Sequence, residues 1–120
     1  MEVENMNDNK DDLENCPIST AQKMIGGKWT LLILYKLSLG TLRFGELNRM
    51  TPDVTQSTLT KELRSLESYQ LVKRKVYPEI PPKVEYSLTE IGMKLLPVIK
   101  ELSKWGNEYK QYVGNDKSDD

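Results

Sequence analysis

The chain has 120 residues, a formal net charge of −1 and no histidine, which predicts one domain with a modest core. Its single cysteine excludes an internal disulfide, and without histidine it leaves no plausible zinc ligand set, so we expect no metal and no cofactor. Catalysis would lack a histidine base, a glycine-rich phosphate loop and any cue for paired carboxylates, which argues against an enzyme.

The charges are distributed unevenly along the chain. Residues 1–15 hold six acids against Lys10, and Gly114–Asp120 holds three acids against Lys117. The body, Cys16–Val113, therefore holds 15 basic and 9 acidic residues, a net charge of +6. We predict a basic domain at 16–113 between two disordered acidic tails, 1–15 and 114–120.

The beginning of the chain is acidic and polar, unlike the basic and then apolar beginning of a secretory signal. The longest apolar run, Leu31–Tyr35, is far shorter than the ~18–20 residues that span a bilayer. We therefore predict a cytoplasmic protein that has no membrane partner.

Two helices are predicted at the start of the basic body. Pro17 suits the first turn of a short helix that runs to Ile25, where Gly26-Gly27 ends it. Lys28–Leu39 is the most apolar segment, with apolar side chains on several sides of a helix. Such a helix must be buried on more than one side, against its own core and, we expect, against a partner subunit.

Arg43–Met50 is predicted to be a short helix, followed by a turn at Thr51–Val54. Pro52 favours the turn because proline disfavours helical geometry in the residue before it, and Thr55 can cap the helix that follows. Two short helices joined in this way match a helix-turn-helix, whose second helix lies in the major groove of DNA.

The second of these helices is amphipathic. Leu59, Leu63 and Leu66 fall on one helical stripe, which predicts their burial. The polar side chains off this stripe suit base edges and phosphates in a major groove. The predicted DNA contacts of this helix are Thr55, Gln56, Ser57, Thr60, Lys61 and Arg64. The alternative is the solvated face of an ordinary amphipathic helix.

Two β-prone segments, Val72–Tyr77 and Lys83–Leu88, follow with prolines between them. Prolines confine the connection to an exposed hairpin tip. The basic residues favour a wing beside the phosphate backbone, whereas the alternative is a plain β-ribbon that covers the core. The predicted DNA contacts of the wing and its flanks are Arg43, Lys73, Arg74, Lys75, Pro81, Pro82 and Lys83.

The last segment, Thr89–Val113, is predicted to be a long helix that Thr89 caps and Pro97 kinks. A small domain cannot cover its apolar stripe alone, so we predict burial across a two-fold axis. The predicted dimer contacts are Trp29, Ile33, Leu95, Ile99, Leu102 and Trp105. The predicted fold class is α+β and mostly helical: a winged helix-turn-helix with a two-stranded wing and extra N- and C-terminal dimerisation helices.

Several motifs in order resemble those of the HxlR-type winged-helix transcriptional regulators, which are related to the MarR class. They are IGGKWTLLIL, RFGEL, TQSTLTKELRSLE, PPKVEYSLTEIG and the late Trp105-Gly106. The resemblance covers Cys16 to about Tyr109. It implies a cytoplasmic bacterial regulator that dimerises through its first and last helices. The helix that begins near Thr55 would lie in the major groove, and the wing at Pro81–Lys83 would lie at the minor groove.

Cys16 is a candidate redox site. It precedes Pro17 at a helix start, where exposed N–H groups favour thiolate, although Glu14 nearby opposes it. Several members of the resembled family sense oxidants or electrophiles through a cysteine at this position, and others keep one there without such a role. Both a sensing and a structural role stay open.

These patterns together predict a sequence-specific DNA-binding regulator that acts as a homodimer on a palindromic or pseudopalindromic operator. Its predicted partners are double-stranded DNA and a second copy of the chain, and no pattern indicates a small-molecule effector. The alternative is a winged-helix protein-interaction module that does not bind DNA.

Overall fold

The computed structural model describes residues 16–119. The predicted tail 1–15 and Asp120 lie outside the described residues. The helices and strands, in chain order, are α1 (Pro17–Ile25), α2 (Thr30–Leu37), β1 (Leu42–Arg43), α3 (Phe44–Met50), α4 (Gln56–Ser68), β2 (Val72–Tyr77), β3 (Lys83–Leu88), α5 (Glu90–Met93) and α6 (Leu96–Asp119).

The strands form one antiparallel sheet in the order β1-β3-β2. The hairpin pairs Val72 with Leu88 at its base and Tyr77 with Lys83 near its tip, and both strands begin and end where the sequence predicts. The prediction of a two-stranded wing is incomplete, because β1 adds a third strand through Leu42 opposite Tyr86. A strand of two residues is too short to produce a detectable alternation of apolar and polar residues.

The first helix ends at Ile25 as predicted, and the second helix is shorter than the apolar segment Lys28–Leu39. Pro17 occupies the first turn of α1 and Gly26 caps its end. The second helix begins at Thr30 rather than Lys28, because residues 27–29 form a turn closed by a hydrogen bond from Thr30 N to Gly27 O at 3.4 Å.

A packed turn joins α3 to α4. Thr51 is buried and donates its hydroxyl to the carbonyl of Leu47 at 2.9 Å. Val54 is also buried, and its N–H donates to the carbonyl of Thr51 at 3.0 Å. Thr55 then caps α4 by accepting from Thr58 N at 3.2 Å. The predicted helix-turn-helix is therefore present, and its turn is held by hydrogen bonds and by burial.

The core lies between the helices and the inner face of the sheet. Leu59, Leu63 and Leu66 are buried, so the predicted apolar stripe of α4 is confirmed. The other buried apolar residues are Ile33, Leu34, Leu37, Leu47, Val54, Leu71, Val72, Tyr86 and Ile99. The predicted fold class, a winged helix-turn-helix with added terminal helices, is confirmed.

The C-terminal segment differs from its prediction in two ways. Thr89 caps a short helix, α5, through Gly92 N at 3.1 Å, but this helix ends at Met93 and α6 begins at Leu96. The break thus precedes Pro97, which lies in the first turn of α6 where its missing N–H removes no helical hydrogen bond. The helix α6 extends to Asp119 and so runs through most of the segment 114–120, which the sequence predicts to be a disordered tail.

Gly92 packs against the backbone at the point where α4 leads into the wing. A Cβ at this position would overlap the carbonyl oxygen of Leu71. We predict that Gly92→Ala lowers the free energy of unfolding by about 1–3 kcal/mol, because backbone must move to relieve the overlap. Urea denaturation checks this. Gly45→Ala is the control, since a Cβ there meets only Arg49 Nη1 at 3.6 Å; an equal loss in both variants would contradict the packing argument.

Candidate nucleic-acid interface

The exposed face of α4 is polar and cationic. Burial of its three leucines leaves the opposite side of the helix in solvent. The exposed positions of α4 are Gln56, Ser57, Lys61, Arg64, Ser65 and Ser68, and the predicted contact Thr60 is half-buried. Amide, hydroxyl, ammonium and guanidinium groups on one helix face can donate to base edges and to phosphates.

The two acids of α4 lie off this exposed face. Glu62 and Glu67 are both half-buried, and the carboxylate of Glu62 accepts a hydrogen bond from Thr30 Oγ1 at 3.0 Å. Thr55 also differs from the other predicted contacts, because its hydroxyl is engaged with Thr58 at 2.9 Å. Its role in the structure is to cap the helix.

The wing divides its predicted DNA contacts between two faces. Side chains alternate along a strand, so Lys73 and Lys75 lie on one face and Arg74 lies on the other, opposite the buried Tyr86. The three predicted contacts of this strand therefore do not share one face of the wing. Arg43 joins the face of Lys75, because both residues are register partners of Glu85.

A cluster of charged and aromatic groups holds this outer wing face in place. Tyr77 donates its hydroxyl to Glu85 Oε1 at 2.8 Å, and Lys83 Nζ lies 3.4 Å from Glu85 Oε2. The ammonium groups of Lys75 and Lys83 lie 4.9 and 4.6 Å from the centroid of the Tyr77 ring, within the range of cation–π attraction. The hydrogen bond from Tyr77, and then Lys83 and Arg43, hold the pKa of Glu85 below its usual value.

Tyr77 and Glu85 were not among the wing residues that the sequence analysis singled out. Alternation within the predicted strands is the signal that could have found them, since both share a face with Lys75 and Lys83.

The wing tip carries Pro81 and Pro82, both exposed. A concavity of about 420 Å³ separates this tip from the start of α3 and is lined by Arg43 as well as by the prolines.

The predicted dimer residues separate into core and surface groups. Ile33 is 0% exposed and Ile99 is 6% exposed, so both fill the core of the protomer and present little surface to a second chain. Trp29 and Leu95 are partly buried against that core. The surface group is Leu102, which is 43% exposed, with Trp105, which is 62% exposed.

The exposed apolar side of α6 continues beyond Trp105. Tyr109 stacks on Trp105 with ring centroids 5.5 Å apart and an interplanar angle of 21°. Val98 and Tyr112 are also exposed and fall within the same stripe at 100° per residue.

No helix of residues 16–119 is long and apolar enough to cross a bilayer.

Cys16 is a half-buried free thiol at the N-cap of α1. The backbone N–H of Ser19, and next that of Ile18, lower the pKa of the thiol by favouring the thiolate, with a smaller contribution from the Ser19 hydroxyl. Partial burial opposes the shift. A lowered pKa makes more of the reactive thiolate available at a given pH. Glu14, which was expected to oppose this effect, lies outside the described residues.

Comparison with known proteins agrees with this geometry. The family model described as HxlR-like helix-turn-helix matches residues 24–113. The chain belongs to the HxlR-like helix-turn-helix family. A relative from Bacillus subtilis strain 168, the uncharacterized HTH-type transcriptional regulator YdeP, is 48% identical over 103 residues, which cover 86% of this chain and 80% of YdeP. The predicted family is thus confirmed, and the protein is a transcriptional regulator with a helix-turn-helix domain, not an enzyme.

Two solved structures similar to this chain are of regulators in a reduced form. The redox regulator HypR in its reduced form has a TM-score of 0.78 and 40% identity, covering 82% of this chain and 98% of HypR. Reduced YodB from Bacillus subtilis has a TM-score of 0.71 and 37% identity, covering 78% of this chain and 93% of YodB. YodB has also been solved after diamide treatment and with bound quinone.

Proposed function

We propose that this HxlR-like protein binds double-stranded DNA in the cytoplasm through α4 and the wing. The observation that carries the proposal is the exposed face of α4, where Lys61 and Arg64 lie on a helix fixed from behind by buried leucines. A helix of this width enters the major groove, where its side chains reach base edges.

The wing supplies the second part of the proposed contact. Arg43, Lys75 and Lys83 lie around Glu85 on one sheet face. Cations on such a projection suit phosphate oxygens beside the groove that α4 occupies, and phosphate contacts orient a protein without reading sequence. The tip at Pro81 and Pro82 would then lie at the adjacent minor groove.

We propose further that the protein acts as a homodimer on an operator with two related half-sites. A single helix-turn-helix reads few base pairs, whereas two copies related by a two-fold axis read half-sites about 34–36 Å apart or a multiple of that. Leu102 and Trp105 supply exposed apolar area on α6, while Trp29 and Leu95 are partly buried against the core. Binding becomes sequence-specific because two copies of α4 each read one half-site, and the dimer fixes the distance between the half-sites.

Cys16 is proposed as the site of a response to oxidants or electrophiles. Its thiol has a lowered pKa, and the neighbours HypR and YodB are described in reduced, oxidised, diamide-treated and quinone-bound forms. Because Cys16 is the only thiol of the chain, an oxidised product needs a second thiol, from another chain or a small molecule. Diamide would accept the two electrons and two protons as the disulfide forms.

Variants of α4 test DNA binding. We predict that Arg64→Ala or Lys61→Ala weakens binding by about 1–3 kcal/mol if the residue contacts a base, or reduces the salt slope by about one if it contacts phosphate. The measurement is fluorescence anisotropy at several salt concentrations, with a duplex selected by the wild type from a random library. Lys100→Ala on α6 is the charge-matched control. Unchanged affinity and slope in both α4 variants would move the DNA surface elsewhere, and failure of the wild type to bind any duplex would favour a protein-interaction module.

An acid in the exposed stripe of α6 tests assembly. We predict that Leu102→Asp converts a dimer to a monomer and abolishes operator binding, because a buried charge without a partner is strongly unfavourable. Analytical ultracentrifugation at micromolar concentration gives the assembly state, and circular dichroism checks that helix is retained. Asn107→Asp places the same charge on the opposite side of α6 and should remain dimeric. A monomeric wild type would refute the homodimer.

The thiol is tested by its reaction and by its pH dependence. We predict that diamide changes operator binding of the wild type and leaves Cys16→Ser unaffected. Because the pKa of Cys16 is lowered, the reaction rate should rise with pH and level off below the range of an ordinary thiol, whose pKa is about 8.5. Ser19→Ala keeps the backbone donor and should retain most of this shift. A midpoint equal to that of the urea-unfolded chain would remove the basis for a tuned sensor.

A further inference from the structure

A hydrogen bond joins the middle of α4 to the first residue of α2. Thr30 Oγ1 donates to Glu62 Oε1 at 3.0 Å, across 32 positions of sequence. Thr30 is 3% exposed and Glu62 is half-buried. The carboxylate therefore lies at the start of α2, where the partial positive charge of the helix favours an anion. The contact therefore links α4, the helix proposed to enter the major groove, to a helix of the core.

Gly27 makes room for this contact. A Cβ at residue 27 would lie 2.6 Å from Thr30 Oγ1 and 3.7 Å from both carboxylate oxygens of Glu62. The first distance is shorter than the contacts that Cβ atoms make in proteins, so a side chain at residue 27 would displace the threonine hydroxyl from its position beside Glu62. The carboxylate reaches its donor only because residue 27 has no side chain.

The rotation of α4 is determined by two kinds of contact. Its buried leucines determine which side of α4 faces the core but tolerate small rotations of the helix, because apolar burial depends on area and has no angular requirement. A hydrogen bond is directional and weakens steeply as its angle departs from linear. Glu62 follows Lys61 directly and precedes Arg64 by two residues, so a rotation of α4 that breaks the Thr30 contact also moves both cations.

We infer that Glu62 is a positioning residue, which through Thr30 fixes the rotation of α4 and so the direction in which Lys61 and Arg64 face DNA. This inference rests on the proposed DNA binding. Electrostatics alone predicts the opposite sign for a substitution, since removing an acid from a DNA-binding helix favours association with phosphates. Weaker specific binding after loss of Glu62 would therefore report position and not charge.

The test compares specific with non-specific binding. Dissociation constants are measured by fluorescence anisotropy for a duplex selected by the wild type from a random library, and for an unrelated duplex of the same length. Thr30→Val and Glu62→Ala should each weaken specific binding roughly five- to tenfold, the scale of the net contribution of one ordinary intramolecular hydrogen bond. Neither should weaken non-specific binding, which tolerates changes in orientation because it needs only phosphate contacts.

Conservative variants separate positioning from a general loss of stability. Thr30→Ser keeps the hydroxyl and should restore the ratio of specific to non-specific affinity. The double variant Thr30→Val with Glu62→Ala should bind no more weakly than either single variant, because both remove the same contact. Ile99→Val lowers stability through the core near the start of α6 and should leave the ratio unchanged. If Thr30→Val fails to fold, Glu62→Ala and Glu62→Gln pose the same question.

The outcomes distinguish the inference from the function it rests on. If the wild type enriches no duplex and shows no salt-dependent binding, the proposed function fails and the inference fails with it. If the wild type binds its selected duplex and both single variants keep the wild-type ratio, the inference alone is overturned. A loss that is equal on both duplexes also overturns it, because it reports a smaller folded fraction and not a rotated helix.

Discussion

The burial of one side of α4 is the constraint on which the rest of the structure depends. Leu59, Leu63 and Leu66 are fully covered, and each contributes about 1.5–3 kcal/mol relative to exposure. Because they recur at i, i+4 and i+7, burying them also determines which residues face solvent. The positions of Lys61 and Arg64 on the surface are thus a consequence of the core, and any change that rotates the leucine stripe alters the surface that is proposed to contact DNA.

Charge segregation makes this surface cationic in a chain whose net charge is −1. Two acids near the proposed contacts are engaged internally. Glu62 accepts a hydrogen bond from Thr30, and Glu85 accepts one from Tyr77 while Lys83 lies 3.4 Å away. Each carboxylate thereby has a local partner, and the long cationic side chains beside it remain exposed. A cluster of this kind also limits the directions that lysine side chains can adopt, so less conformational entropy is lost when they meet phosphate.

Much of the fold could be predicted because its signals are local. Hairpin prolines, caps such as Thr55 and Thr89, and the leucine period of α4 act within a few residues of one another. The misses depend on tertiary context. Periodicity places Ile33 on an apolar stripe of its helix, but it does not show whether the core of the same chain or a second chain buries that stripe. The basic residues predict a charged wing, but only the strand register shows that Arg74 lies on the opposite face from Lys73 and Lys75. The contact between Thr30 and Glu62 has no sequence signal, since 32 positions separate its members.

The apolar side of the last helix connects the proposed dimer with the proposed DNA binding. Among residues 96–115, Ile99 is the one buried side chain, so α6 leaves the core after about one turn. A helix of 24 residues extends about 36 Å, and most of this length has no packing within the protomer. Isolated helices in water are marginal, and an amphipathic helix gains most of its stability by burying its apolar face. The stacked rings of Trp105 and Tyr109 lie on that unburied part, and a second copy of α6 is the cover that the proposed two-fold operator requires.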